Sequence, residues 1–176
     1  PSGAGKSTLI KRLKEELPVI TESVSCTTRP KRPGEVSGVN YHYLTKDEFL
    51  VRKSAGDFIE CAVVHSNFYG TSKKVVQQGI DEGKILLFDL DVQGAISMKE
   101  IFKEKAQTIF IEPPSIDELQ RRLEKRATES AEVIAERVNN AKSEIEQKDK
   151  FDFNILNADL EKCFQNFKKV VKAIIE

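Results

Sequence analysis

The chain's 176 residues suffice for one ordinary domain with a sizeable core and are few for two. Hydrophobic residues make up 39% and charged residues 32%, which reads as soluble and globular; no apolar run is long enough to span a membrane, and no signal peptide is expected. Its 28 basic side chains equal its 28 acidic ones, which argues against long-range capture of nucleic acid or an anionic surface, so phosphate chemistry must come from basic residues placed locally.

The numbering opens at Pro1 inside what reads as a phosphate-binding turn; the strand expected ahead of that turn lies upstream, and the sequence reads as truncated there. The helix predicted from Lys6 to Glu16 carries Leu9, Ile10, Leu13 and Leu17 at helical spacing, and Pro18 ends the run. A short strand is predicted over 19–24. The loop 27–38 follows, punctuated by Pro30, Pro33, Gly34 and Gly38. Residues 41–44 predict a strand. Thr45-Lys46-Asp47-Glu48 is a capping box that opens a helix to about Ala55. Residues 57–64 read as a strand and 72–82 as a helix, with Gly83 where a C′ glycine would stop it. Ile85-Leu86-Leu87-Phe88-Asp89 is apolar until its terminal acid, the pattern of a parallel strand covered on both faces. Residues 108–111 and 153–156 look the same. Ser115-Ile116-Asp117-Glu118 is a second capping box, opening a helix to about Arg126, and further helices are predicted over 131–148 and 159–175. Strands alternating with helices predict an α/β fold around a mostly parallel sheet, with 25–71 departing from the rhythm as an insertion. Cys26, Cys61 and Cys163 lack C-x-x-C spacing and predict buried, reduced thiols in a cytoplasmic compartment. His42 and His65 belong to no cluster of zinc-ligand spacing.

Three sets of residues carry chemistry. Pro1-Ser2-Gly3-Ala4-Gly5-Lys6-Ser7-Thr8 holds all of the Walker A pattern but its first glycine. Gly3 and Gly5 let backbone N–H groups turn inward around a phosphate, Lys6 supplies a point charge, Ser7 offers Mg²⁺ a hydroxyl, and the helix behind adds its positive end. The alternative is a glycine-rich turn before an amphipathic helix. Asp89 and Asp91 follow an apolar strand, where open α/β sheets gather their ligands, and one of them suits the Mg²⁺ shell. The alternative is two solvated acids. Arg29, Lys31 and Arg32 sit in the proline-stiffened loop, and Arg121, Arg122, Lys125 and Arg126 crowd one short helix with Arg137 on the next. Guanidinium groups suit bidentate phosphate contact. Solvated basic faces, neutralised by Glu124, Glu129 and Glu132, are the alternative reading.

Taken together, PSGAGKST, SVSCTTRPKRPGEVSGVNYHY, FIE with FYGTS, ILLFDLDVQGA, IFIEPPS and RRLEKRATE resemble the guanylate kinase family, in order and spacing, over essentially the whole chain. The resemblance implies a P-loop NTPase fold: a mostly parallel sheet flanked by helices, with core 1–24, 72–115 and 132–176. It also implies an inserted monophosphate-binding subdomain over 25–71 and a small helical lid over 116–131. It implies an ATP:GMP phosphotransferase of purine nucleotide metabolism that requires Mg²⁺, takes GMP or dGMP, and needs no nucleic acid, membrane or obligatory protein partner. Catalysis would fall to Lys6, Arg29, Arg122, Arg126 and Arg137. ATP would be held by Ser2, Gly3, Ala4, Gly5, Lys6, Ser7, Thr8 and Asn157. GMP would be held by Ser25, Arg29, Arg32, Tyr41, Glu60, Tyr69, Thr71, Asp89 and Asp91, and the metal by Ser7 and Asp89.

Guanine's adjacent N1–H and N2–H donors suit the Glu60 carboxylate, and its O6 suits a donor such as the Thr71 hydroxyl; adenine reverses the pattern. The chain departs from the family in lacking the first P-loop glycine, in Cys26, in Arg126-Ala127-Thr128, and in Asn157-Ala158. Two other readings stand beside this one: a guanylate-kinase-like module that binds protein partners without catalysis, and a related kinase with another acceptor.

Overall fold

A computed structural model of the chain describes residues 1–64, 66–125 and 130–176. The expectations on His65 and on 126–129, Arg126 among them, lie outside the described residues. In chain order the elements are α1 (Lys6–Glu16), β1 (Ile20–Glu22), β2 (Cys26–Thr27), β3 (His42–Tyr43), α2 (Lys46–Ser54), β4 (Phe58–Val64), β5 (Asn67–Ser72) and α3 (Lys73–Asp81). They continue with β6 (Ile85–Leu87), α4 (Val92–Phe102), β7 (Ile109–Glu112), α5 (Ile116–Glu124), α6 (Ala131–Ile145), β8 (Phe153–Leu156) and α7 (Leu160–Ile175). The fold is α/β, and the chain forms two compact units, Pro1–Glu16 with Lys99–Glu176, and Leu17–Met98.

In the first unit β7 and β8 pair in parallel from Ile109↔Phe153 to Glu112↔Leu156. Leu9, Ile10 and Leu13 form the buried stripe of α1, and Cys163, Phe164, Phe167 and Val171 that of α7. The Arg12 guanidinium lies 3.9 Å from the Phe164 ring centroid, and Arg12–Glu161 and Lys168–Glu16 ion pairs edge the contact. Leu119 and Leu123 of α5 meet Val138 and Ala141 of α6 in a second cluster, each pair one turn apart on its own helix. Only half of the second expected capping box forms. Ser115 Oγ accepts the Glu118 N–H at 3.1 Å, but the Glu118 carboxylate is drawn away by Arg121 (2.9 Å) and Arg122 (3.1 Å).

In the second unit β1 pairs in parallel with β6, and a four-stranded sheet runs in the order β3-β2-β5-β4. The β4–β5 ladder is antiparallel, with a register shift between Phe58 and Glu60 that sets Glu60 opposite Thr71. Strand β5 and helix α4 were not expected from the sequence. The residues of β6 are each half-buried, so the expected strand covered on both faces is not found; β1 is its strand partner among the described residues. Cys61 is half-buried rather than buried, packed at the margin of the cluster formed by Cys26, Phe49 and Phe58. The core here is aromatic. The Phe49 ring is fully buried, stacked on Phe58 at 4.5 Å and on Phe68 at 5.3 Å between centroids.

Helix α2 delivers Phe49 and begins at a complete capping box, Glu48 Oε2 accepting the Thr45 N–H at 2.7 Å and Thr45 Oγ1 accepting the Glu48 N–H at 3.2 Å. Phe49→Ala is expected to cost about 3–5 kcal/mol in chemical denaturation, against about 1 kcal/mol for Thr45→Ala. Equal losses would mean that the cap, not the ring stack, holds this helix.

Candidate active site

The turn ahead of α1 closes on itself. Ala4 N–H donates to the Pro1 carbonyl at 3.2 Å, and the Lys6 ammonium reaches the same oxygen at 3.1 Å. Gly5 has φ +98°, a conformation that L side chains rarely adopt, and a Cβ there would lie 2.5 Å from Asn157 Nδ2. Asn157 is the reason for that crowding: it is buried just beyond β8 and donates its amide to the Ala4 carbonyl at 2.7 Å. The structure thus makes Asn157 a strut of the turn. Arg137 is 7% exposed on α6 and donates to Ser2 Oγ at 2.9 Å. Arg122 donates to the Asn157 carbonyl at 3.0 Å as well as to Glu118. So the turn residues 2–8, Arg122, Arg137 and Asn157 gather within one unit.

The other expected residues gather in the second unit. Thr27 Oγ1 and the Thr28 N–H donate to the Phe68 carbonyl, each at 3.0 Å, and the Arg29 N–H donates to Thr27 Oγ1 at 3.1 Å. These bonds moor the loop to β5 and deliver Arg29. Its Nη1 and Nη2 donate to the two oxygens of Glu35 at 3.0 and 2.8 Å, and Nη1 also donates to the Pro30 carbonyl at 2.8 Å. The guanidinium carbon lies 5.4 Å from the Tyr41 ring centroid and 5.9 Å from that of Tyr43. Tyr41 meets Tyr69 edge to face at 5.9 Å. Burial raises the Tyr41 phenol pKa, and the nearby charge of Asp89 raises it further. Arg32 enters through its backbone N–H, which donates to Glu35 Oε2 at 2.8 Å. The Ser25 hydroxyl oxygen is buried and without a hydrogen-bond partner among the described residues, an unusual state for a buried polar group. Ser23 shares it.

Glu60 and Thr71 are both buried, and the Thr71 hydroxyl donates to Glu60 Oε1 at 2.6 Å. Burial pushes the Glu60 carboxyl pKa up, and the like charge of Asp91 adds to it while the Thr71 bond opposes. Asp91 Oδ1 accepts the Gly94 N–H at 2.7 Å at the head of α4. A Cβ at position 94 would lie 3.1 Å from both Asp91 Oδ1 and Glu60 Oε2, so the absence of a side chain there lets the two acids approach.

Sequence reasoning missed Glu35 and Tyr43. Glu35 Oε2 takes three bonds, from Arg29, from the Arg32 N–H and from the Tyr43 O–H at 2.7 Å. The one signal for it was an acid directly after Gly34 in a loop of cations. Burial works against ionisation, yet these bonds hold the Glu35 carboxyl down at about 2. Burial and the Glu35 bond push the Tyr43 phenol up to about 12. A depressed carboxyl pKa adds stability that is full above its ordinary 4.5 and is lost as pH falls through about 2. The parent chain is therefore expected to lose on the order of 2–3 kcal/mol relative to Glu35→Gln across that acid window. Denaturation curves collected from pH 5 downward measure it; parallel pH profiles would refute it.

Among the described residues, no helix is long and apolar enough to cross a membrane and no three His, Cys, Asp or Glu side chains are grouped to hold a metal. The family model described as Guanylate kinase matches residues 1–174. The chain is 43% identical over 173 residues to a guanylate kinase of Agrobacterium fabrum, covering 98% of this chain and 79% of that protein. It is 46% identical over 168 residues to one of Nitratidesulfovibrio vulgaris, covering 96% and 81%. The crystal structure of guanylate kinase from Anaplasma phagocytophilum superposes with a TM-score of 0.80 at 35% identity, covering 95% of this chain and 80% of that one. A glycine turn built around Lys6, a buried carboxylate–hydroxyl pair, and this similarity along almost the full length agree: the chain belongs to the guanylate kinase family.

Proposed function

We infer that this chain transfers the γ-phosphate of ATP to GMP, giving ADP and GDP. The observation that carries the reading is the buried Glu60–Thr71 pair, an acceptor beside a donor at adjacent positions across one ladder. Guanine offers two donors beside O6, and the pair complements them once the Thr71 hydroxyl turns from Glu60 to O6. Asp91, close enough to raise the Glu60 pKa, completes the acceptor's nucleoside contacts. Ser25, Arg29, Arg32, Tyr41 and Tyr69 form the cage for the acceptor phosphate, with the charge of Asp89 acting on Tyr41. Residues 25–71 act as the monophosphate-binding subdomain, 116–131 as a lid, and the remainder as the core.

The turn residues Ser2, Gly3, Ala4, Gly5, Lys6, Ser7 and Thr8 hold the phosphates of ATP, with Asn157 bracing the turn from behind. Lys6, Arg122 and Arg137 neutralise charge that develops as the phosphoryl group moves; alignment and electrostatics suffice, with no covalent intermediate. Mg²⁺ prefers oxygen ligands and arrives with nucleotide phosphates, which suits a chain whose described residues contain no all-protein metal cluster. The Ser7 hydroxyl and the Asp89 carboxylate are oxygen donors of the right hardness for it. Bound, it withdraws charge from the phosphates. The compartment that fits this reaction is the cytoplasm, and dGMP is a second acceptor to test.

ADP release in ATP and Mg²⁺, with GMP, dGMP, AMP, CMP and UMP offered separately, tests the reading. Turnover with GMP far above the other bases is expected. Turnover with a different base would discard the role of Glu60, and a folded protein with none would be a binding module.

A further inference from the structure

We propose that Glu35 and Tyr43 are positioning residues that fix Arg29 in place for the acceptor's phosphate before that phosphate arrives. The proposal rests on the acceptor reading given above. The guanidinium has five N–H donors in a rigid plane. Two on Nη1 are spent on Glu35 and the Pro30 carbonyl, and one on Nη2 is spent on Glu35. What remains is Nε–H and the outer Nη2–H, which share one edge. That edge is the one suited to a side-on, bidentate phosphate contact. Tyr41 and Tyr43 flank the group, and the Arg29 and Glu35 side chains are 8% and 18% exposed. A long side chain that would otherwise sample many rotamers is held in one.

A carboxylate against a phosphate-binding arginine has a second possible meaning, that of a stand-in which the ligand displaces. The bonding favours the positioning role. Glu35 is moored independently of Arg29, by the Arg32 N–H at 2.8 Å and the Tyr43 O–H at 2.7 Å, and its own N–H donates to the Arg32 carbonyl at 3.2 Å. Displacing it would break both bonds in a half-buried setting, a loss that the incoming phosphate would have to make good. It therefore stays, and Arg29 pays its ordering entropy on folding instead of on binding.

The test compares the parent chain with Glu35→Ala, Glu35→Gln and Tyr43→Phe. Calorimetry supplies Kd for GMP and for guanosine, which lacks the phosphate; ADP release supplies KM for GMP and ATP. Glu35→Ala is expected to raise Kd and KM for GMP by about tenfold to hundredfold, as for partners that orient a liganding group. Glu35→Gln and Tyr43→Phe, which each keep part of the bonding, should raise them by about threefold to tenfold. Guanosine affinity and the KM for ATP should not move. An unchanged GMP Kd in Glu35→Ala overturns the proposal. A tighter one also overturns it and makes Glu35 the stand-in, and an equal loss for guanosine makes Glu35 a general support of the loop. If Glu35→Ala does not fold, unchanged GMP affinity in both other variants overturns the proposal. A parent chain that binds GMP without turning it over defeats the kinase reading and leaves the Kd comparison intact; one that binds no GMP defeats both.

Discussion

Lys6→Ala is expected to lower kcat for GMP phosphorylation by about a thousandfold, the upper range for removing one preorganised charge from a transition state. The thermal midpoint should barely change. Lys6 is half-buried at the start of α1, and its ammonium bonds to the Pro1 carbonyl, an oxygen that the Ala4 N–H also serves. Removing the amine therefore orphans no backbone group. Lys6→Arg should restore little, because a planar fork cannot occupy the space of a compact ammonium inside a turn this tight. Steady-state ADP release and a thermal melt on the same preparations decide it. A Lys6→Ala protein with parental kcat would end the charge-neutralisation account.

Glu60→Gln carries the second large effect. It is expected to lower kcat/KM for GMP by about a thousandfold to ten-thousandfold, the range for sites whose buried polar groups are left mismatched. The substituted amide keeps an oxygen for the Thr71 hydroxyl, which now sits 2.6 Å from Glu60 Oε1, so the fold should survive. Its NH₂ group, however, turns a donor toward guanine's own donors. The same logic sets a pH dependence. Burial and Asp91 raise the Glu60 pKa, so the ionised form that reads guanine is lost at higher pH than for an ordinary glutamate. KM for GMP should climb on acidification in the parent chain and stay flat in Glu60→Gln. Undiminished GMP selectivity in that variant would remove Glu60 from base recognition.

The two expectations differ in how far they could be read before the structure. The role of Lys6 follows from eight consecutive residues. That of Glu60 depends on a strand, β5, that sequence patterning did not reveal. Asn67-Phe68-Tyr69-Gly70-Thr71-Ser72 has no clean alternation and contains a glycine; it is a strand because β2 and β4 pair with it from either side. Helix α4 escaped notice for a related reason. Gly94 interrupts its first turn, and its cap is Asp91, an acid already explained as a ligand.

What the sequence determined by itself is carried mostly by neighbours within one helical turn. The Thr45–Glu48 box opens α2, Ser72 and Asp159 cap α3 and α7, and the turn residues 2–8 bend about Gly3 and Gly5. In each, the donor and the acceptor are so close along the chain that few conformations separate them. Tertiary structure decided the pairings between distant residues. Asn157 under the turn at Ala4 is one, Glu60 beside Thr71 another, and Tyr43 on the acid that holds Arg29 a third. None of those side chains has a local reason to meet its partner. They meet because the packing of strands and helices brings them together, and a polar group drawn out of water gains by pairing with the partner the fold sets within reach.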